Sequence, residues 1–328
     1  MARCRDASDS SRVGETPIRL AALVGLTAAA LGTARYRRDL AAAYARLAGL
    51  DRRTLATPFG ALEYCEWGDG PPVLLIHGVV GGCDVPPSWR ALVPAGYQVI
   101  TPSRFGYLGS EFPEDATVAA QADAYVALMD ALEIPEVPVL AFSAGSSSAV
   151  QLALRHPDRV AALVLVAANS PHEKAVSLVP RALAPLLFSQ PSMWLLRMFA
   201  PKQLASISGV PTGYELDPND QRTLETIFDS FFPIGPRSEG SIFDGYVGNP
   251  DIANYPLEKI SVPTLGVHAA DDPLASYGDA RAMVARIPGS TWVEVEKGGH
   301  IFIHKDEAAV AEIARFISRA TAPEVRSH

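Results

Sequence analysis

The sequence predicts an α/β protein built on a doubly wound, mostly parallel sheet. Short apolar runs such as Val73–Ile76, Val137–Phe142 and Val160–Val166 contain no alternating polar residues, which is typical of strands buried on both faces. Helical patterns such as Val118–Leu132 and Ser146–Arg155 lie between these runs. Because buried strands alternate with helices, we expect right-handed βαβ units with helices on both faces of one sheet.

Further short runs extend this pattern in both directions along the chain. The additional strand candidates are Thr54–Thr57, Leu62–Trp67, Val99–Ile100, Thr264–Val267 and Trp292–Val295. The additional helix candidates are Asp39–Leu50, Asp279–Arg286 and Glu307–Ile317. We therefore expect a core formed by residues 54–170 and 256–320, preceded by an N-terminal segment at 1–53 and followed by a polar tail at 321–328.

One long stretch interrupts the alternation. Residues 171–255 contain much Leu, Phe, Met and Pro but no strand pattern. An insertion of this length inside a domain is expected to have its own structure. The pattern favours a helical cap or lid over the core.

Composition excludes several classes of protein. The chain is 48% hydrophobic with a formal net charge of −8, which favours a globular protein and argues against a nucleic-acid partner. Three cysteines, Cys4, Cys65 and Cys83, form no CxxC pair or Cys/His cluster, so no metal is expected. Cys65 and Cys83 could pair with each other, although two free buried thiols are the simpler interpretation.

An uncharged segment near the start bears on location. Leu20–Ala34 is bracketed by Arg19 and Arg35 and is too short to cross a bilayer comfortably. Its length suits the apolar region of a signal peptide, with small residues at its end, so we expect export or membrane anchoring. Arg37 and Arg38 follow at once, which favours the alternative of a cytoplasmic, Ala-rich helix.

A serine motif ends the run Val137–Phe142. The sequence Ala141-Phe142-Ser143-Ala144-Gly145 joins a strand to a helix with small residues two positions before and after the serine. Such a turn projects the hydroxyl above the sheet, and the flanking residues must be small because strand and helix pass close together. Ser143 is therefore the candidate nucleophile, with simple helix capping as the alternative.

His77-Gly78-Val79, directly after the strand Val73–Ile76, adds a second motif. With both motifs, residues 54–320 resemble the α/β-hydrolase superfamily, in particular its serine hydrolases of the carboxylesterase and lipase type. The resemblance implies an oxyanion hole made by the backbone amides of Val79 and Ala144. We expect His77 to brace its loop rather than to titrate in the reaction.

The same resemblance implies a general base after the last strand. Gly298-Gly299-His300 lies there, and the two glycines allow the backbone to turn the imidazole toward the serine. His304 is the competing candidate, but it lies nearer the last helix and lacks flanking glycines. The histidines at 156, 172 and 268 are poorly placed to act as the base.

The third group should orient that imidazole and follow the preceding strand. Asp271 and Asp272 both lie there, and the family pattern selects Asp272, which directly precedes Pro273. Asp271 then remains solvated or forms a local turn bond. Three residues depart from the usual glycines of the family, and they affect geometry and rate but not the reaction class: Ala141, Ser146 and Ala269.

These motifs predict an esterase-like serine hydrolase. A serine at this turn disfavours dehalogenases and epoxide hydrolases, which use aspartate. A small apolar ester is the default substrate, with carbon–carbon bond hydrolase, thioesterase, peptidase or perhydrolase as alternatives and a non-catalytic binding protein as an alternative of another class.

No GxGxxG or P-loop follows a strand, so no nucleotide or other cofactor is expected.

Overall fold

The computed structural model describes residues 12–170, 179–302 and 306–321, with side chains described from residue 29 onward. It divides into two units, Met1–Leu47 and Ala48–His328. His172, His304, Cys4 and residues 322–328 of the predicted tail lie outside the described residues.

The first unit consists of one long helix, α1, Arg12–Ala48. The uncharged segment Leu20–Ala34 and most of the predicted helix Asp39–Leu50 belong to this single helix, which also includes Arg35, Arg37 and Arg38. Arginine has a high helix propensity, so these residues interrupt the hydrophobic pattern without ending the helix. Among the described residues, no helix combines the length and apolar character needed to cross a bilayer.

The second unit contains an eight-stranded sheet. The strands are β1 (Arg52–Thr57), β2 (Gly60–Trp67), β3 (Pro72–Ile76), β4 (Gln98–Pro102), β5 (Val137–Phe142), β6 (Val160–Val166), β7 (Thr264–Ala269) and β8 (Thr291–Val295). Their order in the sheet is β1-β2-β4-β3-β5-β6-β7-β8. The first two pairings are antiparallel and the others are parallel, so the predicted fold class is confirmed.

The described part of the second unit also contains α-helices. They are α2 (Pro87–Arg90), α3 (Val118–Ala131), α4 (Gly145–Arg155), α5 (Ala184–Leu187), α6 (Gln190–Phe199), α7 (Pro201–Ile207), α8 (Pro218–Phe231), α9 (Ser238–Phe243), α10 (Asn249–Asp251), α11 (Tyr277–Val284) and α12 (Glu307–Thr321). Every residue of β5 is buried, whereas edge strand β1 is largely exposed. The core therefore centres on β5, the strand that leads to Ser143.

The chain between β6 and β7 folds as an insertion, and its described part contains α5 to α10. Asp217 caps the start of helix α8, because its carboxylate accepts hydrogen bonds from two amides of the first turn. Two buried ion pairs join the insertion to the core. Arg104 pairs with Asp244 at 2.7 Å, and Arg237 pairs with Asp84 at 2.8 Å.

Two cysteine side chains meet inside the core. Cys65 of β2 and Cys83 are both buried free thiols, and their Sγ atoms lie 3.1 Å apart. They form no disulfide in this structure, in agreement with the simpler interpretation of the sequence.

Candidate active site

Ser143 occupies a strained turn at the carboxyl end of β5. Its φ is +52°, in the left-handed region that non-glycine residues rarely adopt. The Ser143 amide donates to the carbonyl of Val166 at 2.9 Å, which extends the pairing of β5 with β6. The Ser143 carbonyl accepts from the amide of Ser146 at 2.8 Å, so the chain turns at once into α4.

The small residues around this turn are required by close backbone packing. A Cβ atom on Gly145 would lie 2.7 Å from the carbonyl oxygen of His77. A Cβ atom on Gly78 would lie 3.0 Å from the Cβ of Ser143. Ala141, which replaces the usual glycine of the family, is completely buried within β5 and is accommodated there.

His300 lies against Ser143, as the sequence predicts. Gly299 adopts a φ of +61°, and a Cβ there would lie 2.4 Å from the carbonyl oxygen of Gly209. The His300 amide donates to that same carbonyl at 2.8 Å, so the insertion also holds the histidine loop. The Nε2 atom of His300 is 2.8 Å from the Oγ atom of Ser143.

Asp272 accepts a hydrogen bond from the other ring nitrogen of His300. The distance from Nδ1 to Oδ2 is 2.8 Å, and the carboxylate is fully buried. Its Oδ1 atom accepts from the amides of Leu274 and Ala275 at 2.8 and 2.9 Å. Burial raises the pKa of Asp272. The charge of His300 and the hydrogen bonds from His268 and His300 lower this pKa by more than burial raises it, so the net shift is downward.

A second imidazole contacts the same carboxylate. His268 of β7 is fully buried, and its Nε2 atom lies 3.0 Å from Oδ2 of Asp272. Its ring stacks on Trp292 with centroids 6.0 Å apart and planes 13° apart. Sequence reasoning set His268 aside as a base, and it missed this contact. The available signal was the four-residue spacing between a histidine at a strand end and the candidate acid.

Asp271 has a different partner from the one expected. Its Oδ1 atom accepts from the amides of Gly298 and Gly299 at 3.1 and 2.9 Å. These amides lie 27 and 28 residues further along the chain, so the bond is not a local turn, and it is half-buried. The two adjacent aspartates therefore hold different parts of one unit: Asp272 holds the ring of His300, and Asp271 holds the loop that carries it.

His77 braces the loop after β3. Its Nδ1 atom donates to the carbonyl of Gly78 at 2.8 Å, and its Nε2 atom accepts from the amide of Arg104 at 3.0 Å. Both bonds require a neutral ring. Burial, and secondly the charge of Arg104, lower the pKa of His77 well below its usual value. Val79 and Ala144, the predicted oxyanion donors, are the residues directly after Gly78 and Ser143 in the chain.

Aromatic side chains form one wall beside the serine. Phe142 stacks on Trp89 with ring centroids 4.1 Å apart and meets His300 edge-on at 5.9 Å. Trp89 also lines a cavity of about 400 Å³ between α2, α8 and α12, together with Phe302 and Ile313. Apart from Arg222, Asp306 and a few hydroxyl and amide groups, the cavity lining is mainly apolar, and it includes none of Ser143, Asp272 and His300.

The remaining histidine of the described chain lies in a surface ion pair. His156 contacts the carboxylate of Asp123 at 2.7 Å. Across residues 12–170, 179–302 and 306–321, no group of three or more His, Cys, Asp or Glu side chains is arranged to hold a metal ion.

Comparisons with known proteins agree with this architecture. A hydrolase of unknown function from Bacillus subtilis, YcgS, is 38% identical over 115 residues, which cover 35% of this chain and 40% of that protein. The 2-hydroxymuconate semialdehyde hydrolase of Pseudomonas sp. is 38% identical over 104 residues, 30% of this chain and 37% of that protein. The chain thus aligns with about two-fifths of the length of each of these relatives.

A solved structure covers far more of the chain. The α/β-hydrolase fold protein from Nakamurella multipartita is 29% identical, with a TM-score of 0.66. The alignment covers 82% of this chain and 99% of that one. The sequence pattern of the α/β-hydrolase fold itself matches residues 71–307, which include Ser143, Asp272 and His300. The chain belongs to the α/β-hydrolase fold family.

Proposed function

We propose that this protein is a serine hydrolase that cleaves a carboxylic ester or a similar acyl substrate. One observation carries the proposal: Ser143, His300 and Asp272 form a continuous hydrogen-bond chain with two 2.8 Å contacts. A serine hydroxyl is a weak nucleophile until a base accepts its proton. In this chain His300 is the base, and Asp272 holds the ring and stabilises its protonated form.

The reaction follows from this arrangement. The Oγ atom of Ser143 attacks the acyl carbon while its proton passes to Nε2 of His300. The negative oxygen of the tetrahedral intermediate accepts hydrogen bonds from the amides of Val79 and Ala144. The intermediate collapses to an acyl-enzyme, and the alcohol leaves with the proton from His300. Water, deprotonated by His300, then releases the acid and restores the serine.

The surroundings of the serine favour an apolar substrate. Phe142, which stacks on Trp89, presents an apolar ring edge-on to His300, beside the serine. The insertion between β6 and β7 is the proposed cap. Its Gly209 carbonyl accepts a hydrogen bond from the His300 amide and so holds the loop of that histidine. Esters are the least demanding acyl donors, so an ester of a short apolar acid is the first choice.

Carbon–carbon bond hydrolysis is the second candidate. The molecule named in the Pseudomonas relative, 2-hydroxymuconate semialdehyde, contains no ester bond, and that relative shares 38% identity over 104 residues. The same serine, histidine and aspartate would serve this reaction. Turnover of such a semialdehyde with no turnover of any ester would favour this candidate over the first.

The decisive test is a series of p-nitrophenyl esters of increasing acyl length, assayed with the wild type and Ser143→Ala. We expect Ser143→Ala to lower kcat by about 10⁴-fold or more, because no acyl-enzyme can form. Ser146→Ala is the matched control, since its hydroxyl is buried without a hydrogen-bond partner and its loss should change little. A folded Ser143→Ala protein with activity within tenfold of wild type would contradict the proposal.

A further inference from the structure

We infer that Arg237 and Ser241, at the start of α9 in the insertion, are positioning residues that fix the amide of Val79 in the oxyanion hole. The inference rests on the proposed function. It adds that the insertion sets the rate of the chemical step and does not only enclose the substrate.

Arg237 anchors the far end of the loop that follows β3. Its guanidinium group is completely buried and forms two parallel bonds to the Asp84 carboxylate, at 2.8 and 2.9 Å. It also donates to the carbonyl of Gly81 at 2.6 Å and to the carbonyl of Pro233 at 3.1 Å. Such two-pronged bonds fix direction as well as distance. The loop and the insertion are therefore joined through one rigid group.

Ser241 holds the residue next to Val79. Its hydroxyl accepts from the amide of Val80 at 3.3 Å and donates to the carbonyl of Arg237 at 2.7 Å. Val80 has a φ of +56°, a strained conformation for a β-branched residue. Strained backbone persists only where surrounding contacts enforce it. The contact from Ser241 is one such contact, and it acts on the peptide unit that joins Val79 to Val80.

The loop has little freedom on either side of Val79. On one side, a Cβ atom on Gly78 would lie only 3.0 Å from that of Ser143. On the other, a Cβ atom on Gly82 would lie 2.7 Å from Nη1 of Arg237. Along the chain, Val79 thus lies between a glycine packed against the nucleophile and a glycine packed against the insertion. A shift of α9 moves the Val79 amide relative to Ser143, and that displacement weakens stabilisation of the tetrahedral intermediate more than binding of the neutral ester.

The test compares two buried serines of the insertion. Ser241→Ala removes the contact to Val80, whereas Ser230→Ala removes a similar buried hydroxyl that donates to the carbonyl of Ile227 in α8. Loss of an entire oxyanion donor lowers kcat by about 10²- to 10³-fold, so we expect displacement of one by Ser241→Ala to lower kcat about tenfold. KM for a p-nitrophenyl ester should stay within about twofold, and Ser230→Ala should match the wild type.

Affinity for a boronic acid supplies a readout that a merely structural role would leave unchanged. A boronic acid forms a tetrahedral adduct with the serine and places an oxygen where the oxyanion develops. Its inhibition constant should rise by the same factor as kcat falls in Ser241→Ala. Asp84→Asn, which keeps the shape of the anchor but removes its charge, provides the second variant. It should show the same fall in kcat together with the same rise in the inhibition constant.

Two results would overturn the inference. One is wild-type kcat in folded Ser241→Ala or Asp84→Asn, and the other is a rise in KM with kcat unchanged. If the proposed function itself is wrong, the result is different, because the wild-type protein then shows no turnover that depends on Ser143. An active, Ser143-dependent enzyme with an unaffected Ser241→Ala variant therefore rejects this inference alone.

Discussion

The loops at the carboxyl ends of the strands and the insertion between β6 and β7 contribute differently to this site. The loops carry Ser143, Asp272 and His300, which contact one another directly. The insertion contributes contacts to the backbone of those loops, through Gly209 and Arg237. Under the proposed function, the loops supply the reacting groups and the insertion supports them, so substitutions in the loops should have the larger effects.

After the loss expected for Ser143→Ala, the largest effect in this comparison is expected at Asp272. Asp272→Asn should lower kcat by about 10³- to 10⁴-fold, because an amide favours the wrong tautomer of His300. Asp271→Asn is the matched control, since Asp271 bonds only the backbone of Gly298 and Gly299 in the described contacts, and it should cost far less. Steady-state kinetics on one ester would measure both. If Asp271→Asn proved the more damaging, the acid would be Asp271.

The pH dependence should show a single acidic limb. His300 must be neutral to accept the serine proton, so kcat/KM should fall about tenfold for each pH unit below the histidine pKa and level off above it. The pKa of Asp272 is lowered, so its carboxylate stays charged as the pH falls and contributes no second limb. Measurement from about pH 5 to 9 tests this. A flat profile would count against histidine as the base.

Asp272→Asn should change that profile in two ways. The carboxylate stabilises the protonated ring, so its loss should move the midpoint to lower pH as well as lowering the plateau. A lowered plateau with an unchanged midpoint would mean that Asp272 supports the loop without acting on the charge of His300.

Much of this site follows from short patterns in the sequence. The turn at Ser143 is predicted because strand, small residues and helix adjoin within a few positions, and the glycines before His300 indicate a loop that can turn sharply. The buried pair of Arg237 with Asp84 could not be predicted in the same way. Its partners lie 153 residues apart, and nothing in the local pattern distinguishes Arg237 from a solvated arginine.

The contact between His268 and Asp272 was missed for a different reason. The two residues are only four positions apart, at the end of β7, but the direction of each side chain depends on the turn between them. The length of α1 does not follow from the sequence pattern either, because arginines after an uncharged run are also typical of the end of a segment. The tertiary structure sets the side-chain directions of His268 and Asp272, whereas the helix propensity of arginine already favours the continuation of α1.

The smallest effect is expected at the N-terminal helix. A chain that starts at Arg38 removes most of α1 and none of the residues described above in contact with Ser143, Asp272 or His300. We expect kcat/KM within about twofold of the full chain, since no reacting or positioning group is lost. Esterase kinetics of purified, folded protein would measure this. Loss of activity or solubility would show that α1 supports the catalytic unit.

The most direct test of the central claim is covalent labelling of Ser143. A fluorophosphonate reacts only with a serine whose hydroxyl is activated by a base and whose oxyanion is stabilised. Intact-protein and peptide mass spectrometry should find one adduct per chain, on the peptide that contains Ser143, and His300→Ala should label far more slowly. An adduct on another residue, or equal labelling of wild type and Ser143→Ala, would contradict the account.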